Sequence, residues 1–84
     1  MKTIYFIYAE GCDSCKLMRK HIMDCKKKKD FELKEFECET DEAFNFAVNN
    51  EIDDLPACRI GDITIQGEKF NETELVECIT EFCR

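Results

Sequence analysis

The sequence lacks any apolar run near the roughly 18 residues that a membrane-spanning helix needs, so we expect no transmembrane segment. It also lacks internal repeats, low-complexity tracts and linkers, and it has only one proline. Because 84 residues leave no room for a second core, residues 1–84 are predicted to form a single domain. Hydrophobic residues make up 44% and charged residues 37%, which is typical of a globular protein rather than a disordered one.

Positive charge is scarce beyond the first third of the chain. The net charge is −7, and residues 31–84 carry four basic and fifteen acidic side chains. This acidity argues against nucleic acid as a partner. The run from Lys26 to Lys29 is the exception. We expect it to be the solvated end of a helix, with a docking patch for an acidic partner as the alternative.

Seven cysteines in so short a chain would suggest a disulfide scaffold in an exported protein. The number is odd, however, and four of them occupy apolar positions in helix or strand patterns: Cys25, Cys38, Cys78 and Cys83. The apolar run from Thr3 to Ala9 is at the short limit for a secretion signal. We therefore expect a strand in this segment and a reducing cytoplasm as the setting.

The most informative stretch is Glu10-Gly11-Cys12-Asp13-Ser14-Cys15, which lies between a strand-like run and a segment with helical periodicity. Free N–H groups and the positive end of a helix dipole stabilise a thiolate at such a junction. The spacing also lets Cys15 share the proton of Cys12 or form a disulfide with it. These features predict a small thiol–disulfide redox domain built around Cys12.

Two neighbours of Cys12 are expected to adjust its acidity. The Asp13 carboxylate disfavours the thiolate while stabilising the first turn of the helix, so we expect the pair to work as a reductant. Ser14 either donates its hydroxyl to the thiolate or serves the helix start. His21 is expected to have a surface or packing role, because it lies off the Cys15 face of the helix.

Hydrophobic periodicity predicts a strand, a helix and a second strand in the first half of the chain. Thr3 to Ala9 has no clean polar alternation, as expected of an interior strand. A helix is predicted from Cys12 or Asp13 to about Lys28. Residues 31–38 begin with strict alternation, which is typical of a strand near a sheet edge.

The second half is predicted to contain a helix, a hairpin and a helix. Residues 42–49 form the short helix, with Phe44, Ala47 and Val48 as its packing face. Two short runs separated by Gly61-Asp62 predict a hairpin. A capped helix follows Asn71. The order β-α-β-α-β-β-α predicts an α/β fold in which a mixed four-stranded sheet carries helices on both faces.

The predicted first strand runs into Cys12-Asp13-Ser14-Cys15, and a single proline, in Leu55-Pro56, opens a later hairpin. This combination resembles the thioredoxin/glutaredoxin superfamily in its shortest form. The resemblance implies a thioredoxin-like fold in which Cys12 is the attacking thiol and Cys15 the resolving thiol. It implies that Pro56 is a cis proline beside them and that Leu55 offers its backbone to an extended substrate. Gly11, Asp13 and Ser14 would then border the substrate.

Several positions differ from the usual patterns of these families. Thioredoxins usually have Gly-Pro between the cysteines and a buried acid in the first strand, where this chain has Asp13-Ser14 and Phe6. Glutaredoxins tend to have a basic residue before the motif, where this chain has Glu10-Gly11. Glutathione therefore remains an open question as the electron donor, and no metal or other cofactor is expected.

The function predicted is a dithiol oxidoreductase that acts on disulfide-containing proteins or small molecules. A reductase or glutathione would supply electrons, and the protein would act as a monomer without membrane or nucleic acid. One alternative is a metal-handling module, because copper carriers of the βαββαβ kind also place Cys-x-x-Cys at a helix start. Another is a redox-silent interaction domain with the same fold.

Overall fold

A computed structural model describes residues 1–84, in which four strands and three helices alternate in the predicted order. The elements are β1 (Thr3–Tyr8), α1 (Asp13–Lys26), β2 (Glu32–Glu37), α2 (Asp41–Asn49), β3 (Ala57–Ile60), β4 (Ile63–Gln66) and α3 (Glu72–Phe82). None of the helices is long and apolar enough to cross a membrane. The order β-α-β-α-β-β-α differs from the βαββαβ topology on which the copper-carrier alternative rested, because a helix follows β2 where that topology has a strand.

The sheet has the strand order β2-β1-β3-β4. β1 pairs in parallel with β2 and antiparallel with β3, and the β3–β4 hairpin completes the mixed sheet. β1 is an interior strand and β2 is an edge strand, which confirms the predictions drawn from the polarity of their sequences. Because Ile7 is the partner of Ala57, the end of β1 lies beside the start of β3. The loops that carry Cys12 and Pro56 therefore leave the same end of the sheet.

Alternation along the strands divides the core between two faces. On one face, strand residues such as Ile4 and Phe6 pack with Met18 and Ile22 of α1 and with Leu75 of α3. On the other face, a smaller cluster is formed by three buried residues, two from the strands and one from α2: Ile7, Ala57 and Ala43. Helices thus cover both faces, as predicted.

The packing face of α2 differs from the prediction. Ala43 is buried and Phe46 and Ala47 pack on the core, whereas Phe44 is 65% exposed and Val48 is 61% exposed. Both stripes contain apolar residues at helical spacing, so periodicity alone could not separate them. The aromatic ring of Phe46 decides the choice, because its centroid lies 4.6 Å from that of Tyr5 on the sheet.

The buried face of α3 gives a test of the core. Replacing Leu75, which is fully buried, with alanine should lower the free energy of unfolding by about 2–5 kcal/mol, because a cavity remains. The neighbouring Val76 is 37% exposed, so Val76→Ala should cost less than about 1 kcal/mol. Urea unfolding followed by circular dichroism measures both, and equal losses would contradict the assigned face.

Candidate active site

Cys12 is the N-cap residue of α1, and its side chain takes the role usually filled by an oxygen. The backbone is extended at this residue (φ −94°, ψ 114°), and its Sγ accepts the N–H of Cys15 at 3.1 Å. Gly11, with φ +72°, turns the chain out of the strand into this position. The sulfur therefore lies at the positive end of the helix, where negative charge is stabilised.

Hydrogen bonds lower the pKa of Cys12 below its ordinary value of 9.0. The largest effect is a side-chain hydrogen bond with Cys15, followed by one with Ser14, whose Oγ lies 3.3 Å from the Cys12 Sγ. Partial burial opposes these effects. Of the two roles predicted for Ser14, its position favours that of a hydroxyl donor to the thiolate. Asp13 was expected to disfavour the thiolate, but it is not among the causes of the shift.

Cys15 has the opposite environment. It is buried on the core side of α1 with 3% exposure, and its Sγ accepts the N–H of Ala9 at 3.5 Å. Burial is the largest cause that raises its pKa to about 11, and the hydrogen bond and charge of Cys12 raise it further. The pair therefore combines a half-exposed thiol whose pKa is lowered with a buried thiol whose pKa is raised to about 11.

A cavity of about 160 Å³ borders both sulfurs. Its walls include Tyr8, Glu10 and Gly11 from the end of β1, and Lys16 and Arg19 from α1. Glu10 and Arg19 were not among the site residues predicted from the sequence. The spacing of residues 12, 15, 16 and 19 places them along one helical stripe, and this spacing was the signal that could have identified Arg19.

The predicted Leu55-Pro56 segment lies at the same end of the sheet. The bond between these residues is cis, which the family resemblance implied. Pro56 is buried, whereas Leu55 is half-buried. The N–H of Leu55 is already bonded to the side chain of Asp54 at 2.9 Å, so an incoming strand would have to displace this carboxylate to use that donor.

A second cavity, of about 410 Å³, lies on the α2 side of this end of the sheet. Ile7, Cys38, Phe44 and Leu55 contribute apolar lining, and Asp53 and Asp54 lie at its margin. The predicted substrate-binding residues are therefore divided. Gly11 borders the cavity with the cysteines and Leu55 lines this second cavity, whereas Asp13, Ser14 and Pro56 line neither.

The remaining thiols are suited to packing rather than to attack. Cys58 is fully buried, and burial raises its pKa to about 12. Burial is also the main cause that raises the pKa of Cys25, Cys38 and Cys78. No group of three or more His, Cys, Asp or Glu side chains is arranged to hold a metal ion.

His21 lies away from the two sulfurs, against the start of α3. Its Nε2 is 3.3 Å from the Glu72 carboxylate, and its ring makes an edge contact with Phe70. This placement agrees with the packing role that the sequence predicted.

Solved thioredoxins have the same fold. Thioredoxin O2 from Arabidopsis thaliana in its oxidised state superposes with a TM-score of 0.77 at 15% identity, covering 98% of this chain and 75% of that protein. Oxidised thioredoxin from Plasmodium falciparum gives 0.73 at 19% identity, with 98% and 81% covered. Thioredoxin 1 from Thermosipho africanus gives 0.71 at 18% identity, with 95% and 92% covered.

The chain therefore has a thioredoxin-like α/β fold, as its resemblance to that superfamily implied. No protein-family model matches the sequence, and no curated protein matches it. The likeness to thioredoxins concerns the fold, and the chemistry of the site has to be argued from its own residues.

The hydrogen bond between Ser14 and Cys12 can be tested by alkylation. Cys12 should react with iodoacetamide along a pH profile whose midpoint lies below that of an unperturbed cysteine, because the thiolate fraction rises as pH passes the lowered pKa. Ser14→Ala removes one of the groups that lower this pKa, so the midpoint should move upward. Ser14→Thr keeps the hydroxyl and is the control. Mass spectrometry measures alkylation of each cysteine, and an unchanged midpoint in Ser14→Ala would exclude the hydrogen bond.

Proposed function

We propose that this protein is a thioredoxin-like thiol–disulfide oxidoreductase in which Cys12 attacks and Cys15 resolves. The observation that carries the proposal is the unequal environment of two sulfurs at one helix start. Cys12 is half-exposed, and its Sγ accepts the N–H of Cys15 and lies 3.3 Å from the Ser14 Oγ, while Cys15 is buried behind it. An accessible thiolate next to a protonated thiol is the arrangement that two-step disulfide exchange requires.

In the first step the Cys12 thiolate attacks one sulfur of a substrate disulfide. A Cys12–substrate disulfide forms, the substrate S–S bond breaks, and the leaving thiolate takes a proton from solvent. The hydrogen bonds that stabilise the thiolate hold its sulfur in place at the end of the helix.

In the second step Cys15 attacks the Sγ of Cys12. The negative charge of Cys12 has disappeared in the mixed disulfide, which removes one of the effects that raise the pKa of Cys15. The Cys15 proton leaves through the small cavity, where Glu10 is the one carboxylate in the lining. A Cys12–Cys15 disulfide forms, the second substrate thiolate is released, and two electrons have passed to the substrate.

The substrate surface is proposed to extend from Cys12 to the apolar cavity beside Leu55. Phe44 is 65% exposed and lines this cavity with Leu55, so apolar side chains next to the substrate disulfide would find contacts there. The backbone of Leu55 would pair with an extended substrate segment after Asp54 releases the N–H.

The proposed setting is a reducing cytoplasm, with the protein acting as a monomeric single domain. After each cycle the Cys12–Cys15 disulfide must receive two electrons from a reductase or from glutathione. A protein disulfide is the proposed substrate, and no cofactor besides the cysteine pair takes part in the scheme.

A trapping experiment tests the order of attack. Cys15→Ser should accumulate a mixed disulfide between Cys12 and a peptide containing one disulfide, because the second step lacks its nucleophile. Cys12→Ser should reduce the peptide no faster than dithiothreitol alone. Intact-mass spectrometry detects the adduct, and turnover assays with dithiothreitol measure the rate.

Cys83→Ser is the matched control, because this half-buried thiol lies at the far end of α3 and should leave turnover unchanged. Full turnover by Cys12→Ser, or trapping on another cysteine, would refute the assigned roles.

A redox titration tests whether Cys12 and Cys15 form a disulfide at a lower potential than the other thiols do. In glutathione buffers of rising potential, Cys12 and Cys15 should form a disulfide before any other cysteines do. These two sulfurs adjoin at one helix start, whereas Cys58 is fully buried and burial raises its pKa to about 12. Mass mapping after acid quenching identifies the oxidised cysteines at each potential. Earlier oxidation of another pair would move the redox site away from α1.

A further inference from the structure

The largest cavity of the protein, of about 460 Å³, is a groove at the opposite end of the sheet from Cys12. It lies between the β3–β4 hairpin and α3, and Ile60, Ile63, Cys78 and Phe82 supply its apolar lining. The hairpin turn is held closely against α3, because a Cβ added at Gly61 would approach the Phe82 ring to 3.1 Å. Ile63 is nevertheless 47% exposed, so the groove leaves apolar surface open to solvent.

Four carboxylates surround this apolar floor: Asp62, Glu74, Glu77 and Glu81. Only Glu81 has an ion-pair partner, the exposed Arg84 at 3.6 Å. No basic residue lines the groove. An apolar floor within a ring of largely unpaired negative charge is complementary to a segment that carries basic side chains around an apolar one.

β4 contributes Ile63 to the lining of this groove, and the outer edge of the strand leaves backbone groups unpaired. β4 is the last strand of the sheet and pairs only with β3. The N–H of Gly67 bonds to the carbonyl of Pro56 at 2.9 Å, which sets the alternation of the hairpin ladder. Because the ladder alternates from that pair, the N–H and C=O groups of Thr64 and Gln66 point away from β3, toward the free edge. The side chains of Ile63 and Ile65 face α3.

We propose that this groove binds an extended cationic segment of another protein, which adds a strand to the edge of β4. Alternate side chains of such a strand would point toward α3, so an apolar residue would contact Ile63 and Phe82 while flanking Lys or Arg residues meet Glu74 and Glu77. β4 has only four residues, so the ladder is short and the groove must supply most of the binding energy.

A second copy of this chain does not supply a suitable segment. Its other sheet edge, β2, carries three glutamates against one lysine, Lys34, so its net negative charge would be repelled by the carboxylates of the groove. Its basic run begins within α1 at Lys26 and continues through the helix C-cap at Lys27, so it is not extended there. Charge therefore favours a foreign segment over self-association.

The probe for this proposal is the peptide acetyl-Lys-Thr-Leu-Thr-Lys-Thr-amide, whose two lysines and leucine share one face when it is extended. In heteronuclear NMR titrations it should shift the amide signals of Thr64, Gln66 and Cys78. The Glu77→Lys variant should bind it at least about fivefold more weakly, because one attraction becomes a repulsion. Glu42→Lys makes the same charge change on α2, on the other face of the sheet, and should stay within about twofold of wild type.

Two modified peptides separate the contribution of charge to binding from that of the backbone hydrogen bonds to β4. Replacing both lysines with glutamate should abolish binding, and N-methylation of the second threonine should weaken it by removing a donor to β4. Cys12→Ser should bind the original peptide like wild type, so this result does not depend on the redox proposal.

The proposal is overturned by failure of the lysine peptide to bind, by equal binding to Glu77→Lys, or by equal binding of the glutamate peptide. Shifts centred on the loop of Cys12 instead of β4 would also overturn it. Sedimentation of the wild-type chain as a dimer that Glu77→Lys dissociates would assign the groove to self-association and refute the foreign segment.

Discussion

The hydrogen bond from the Cys15 N–H to the Cys12 Sγ is the interaction on which the site depends. It satisfies one of the free donors of the first turn of α1, and it does so with a reactive sulfur rather than with an inert oxygen. The same turn places Cys15 at the start of the buried apolar stripe of α1, which continues through Met18, Ile22 and Cys25. The hydrogen bond that starts the helix therefore also lowers the pKa of the thiol, because the group that caps α1 is the group proposed to react.

Two identical side chains acquire opposite acidities from this single arrangement. Cys12 lies where N–H groups converge and solvent has access, so its charged form is favoured. Cys15 lies three residues later on the inner face of the helix, where burial disfavours charge. No buried carboxylate is needed to create the difference, and Phe6 is a packing residue of the core. The helix places one sulfur on each side of the boundary between solvent and core.

The fold separates two kinds of surface along the sheet. At the end where β1 finishes, the two sulfurs, a small cavity and an apolar cavity beside Leu55 lie together. At the other end, the β3–β4 turn and α3 enclose an acidic groove that contains no part of the redox pair. The antiparallel pairing of β1 with β3 produces this separation, since it places the start of β3 at one end and the hairpin turn at the other. A segment bound in the groove would leave Cys12 accessible.

Local patterns in the sequence determined the order of the elements, the interior place of β1 and the position of the Cys-x-x-Cys motif at a strand–helix junction. The cap at Asn71 was also predictable, because a capping side chain bonds an N–H only a few residues away. Tertiary structure decided which stripe of α2 faces the sheet, since both stripes are apolar and only the fit of Phe46 against Tyr5 distinguishes them. It also decided that Glu10 borders the cavity and that four carboxylates from α3 and the hairpin surround one groove. Periodicity describes one element at a time, whereas these features depend on how separate elements pack against each other.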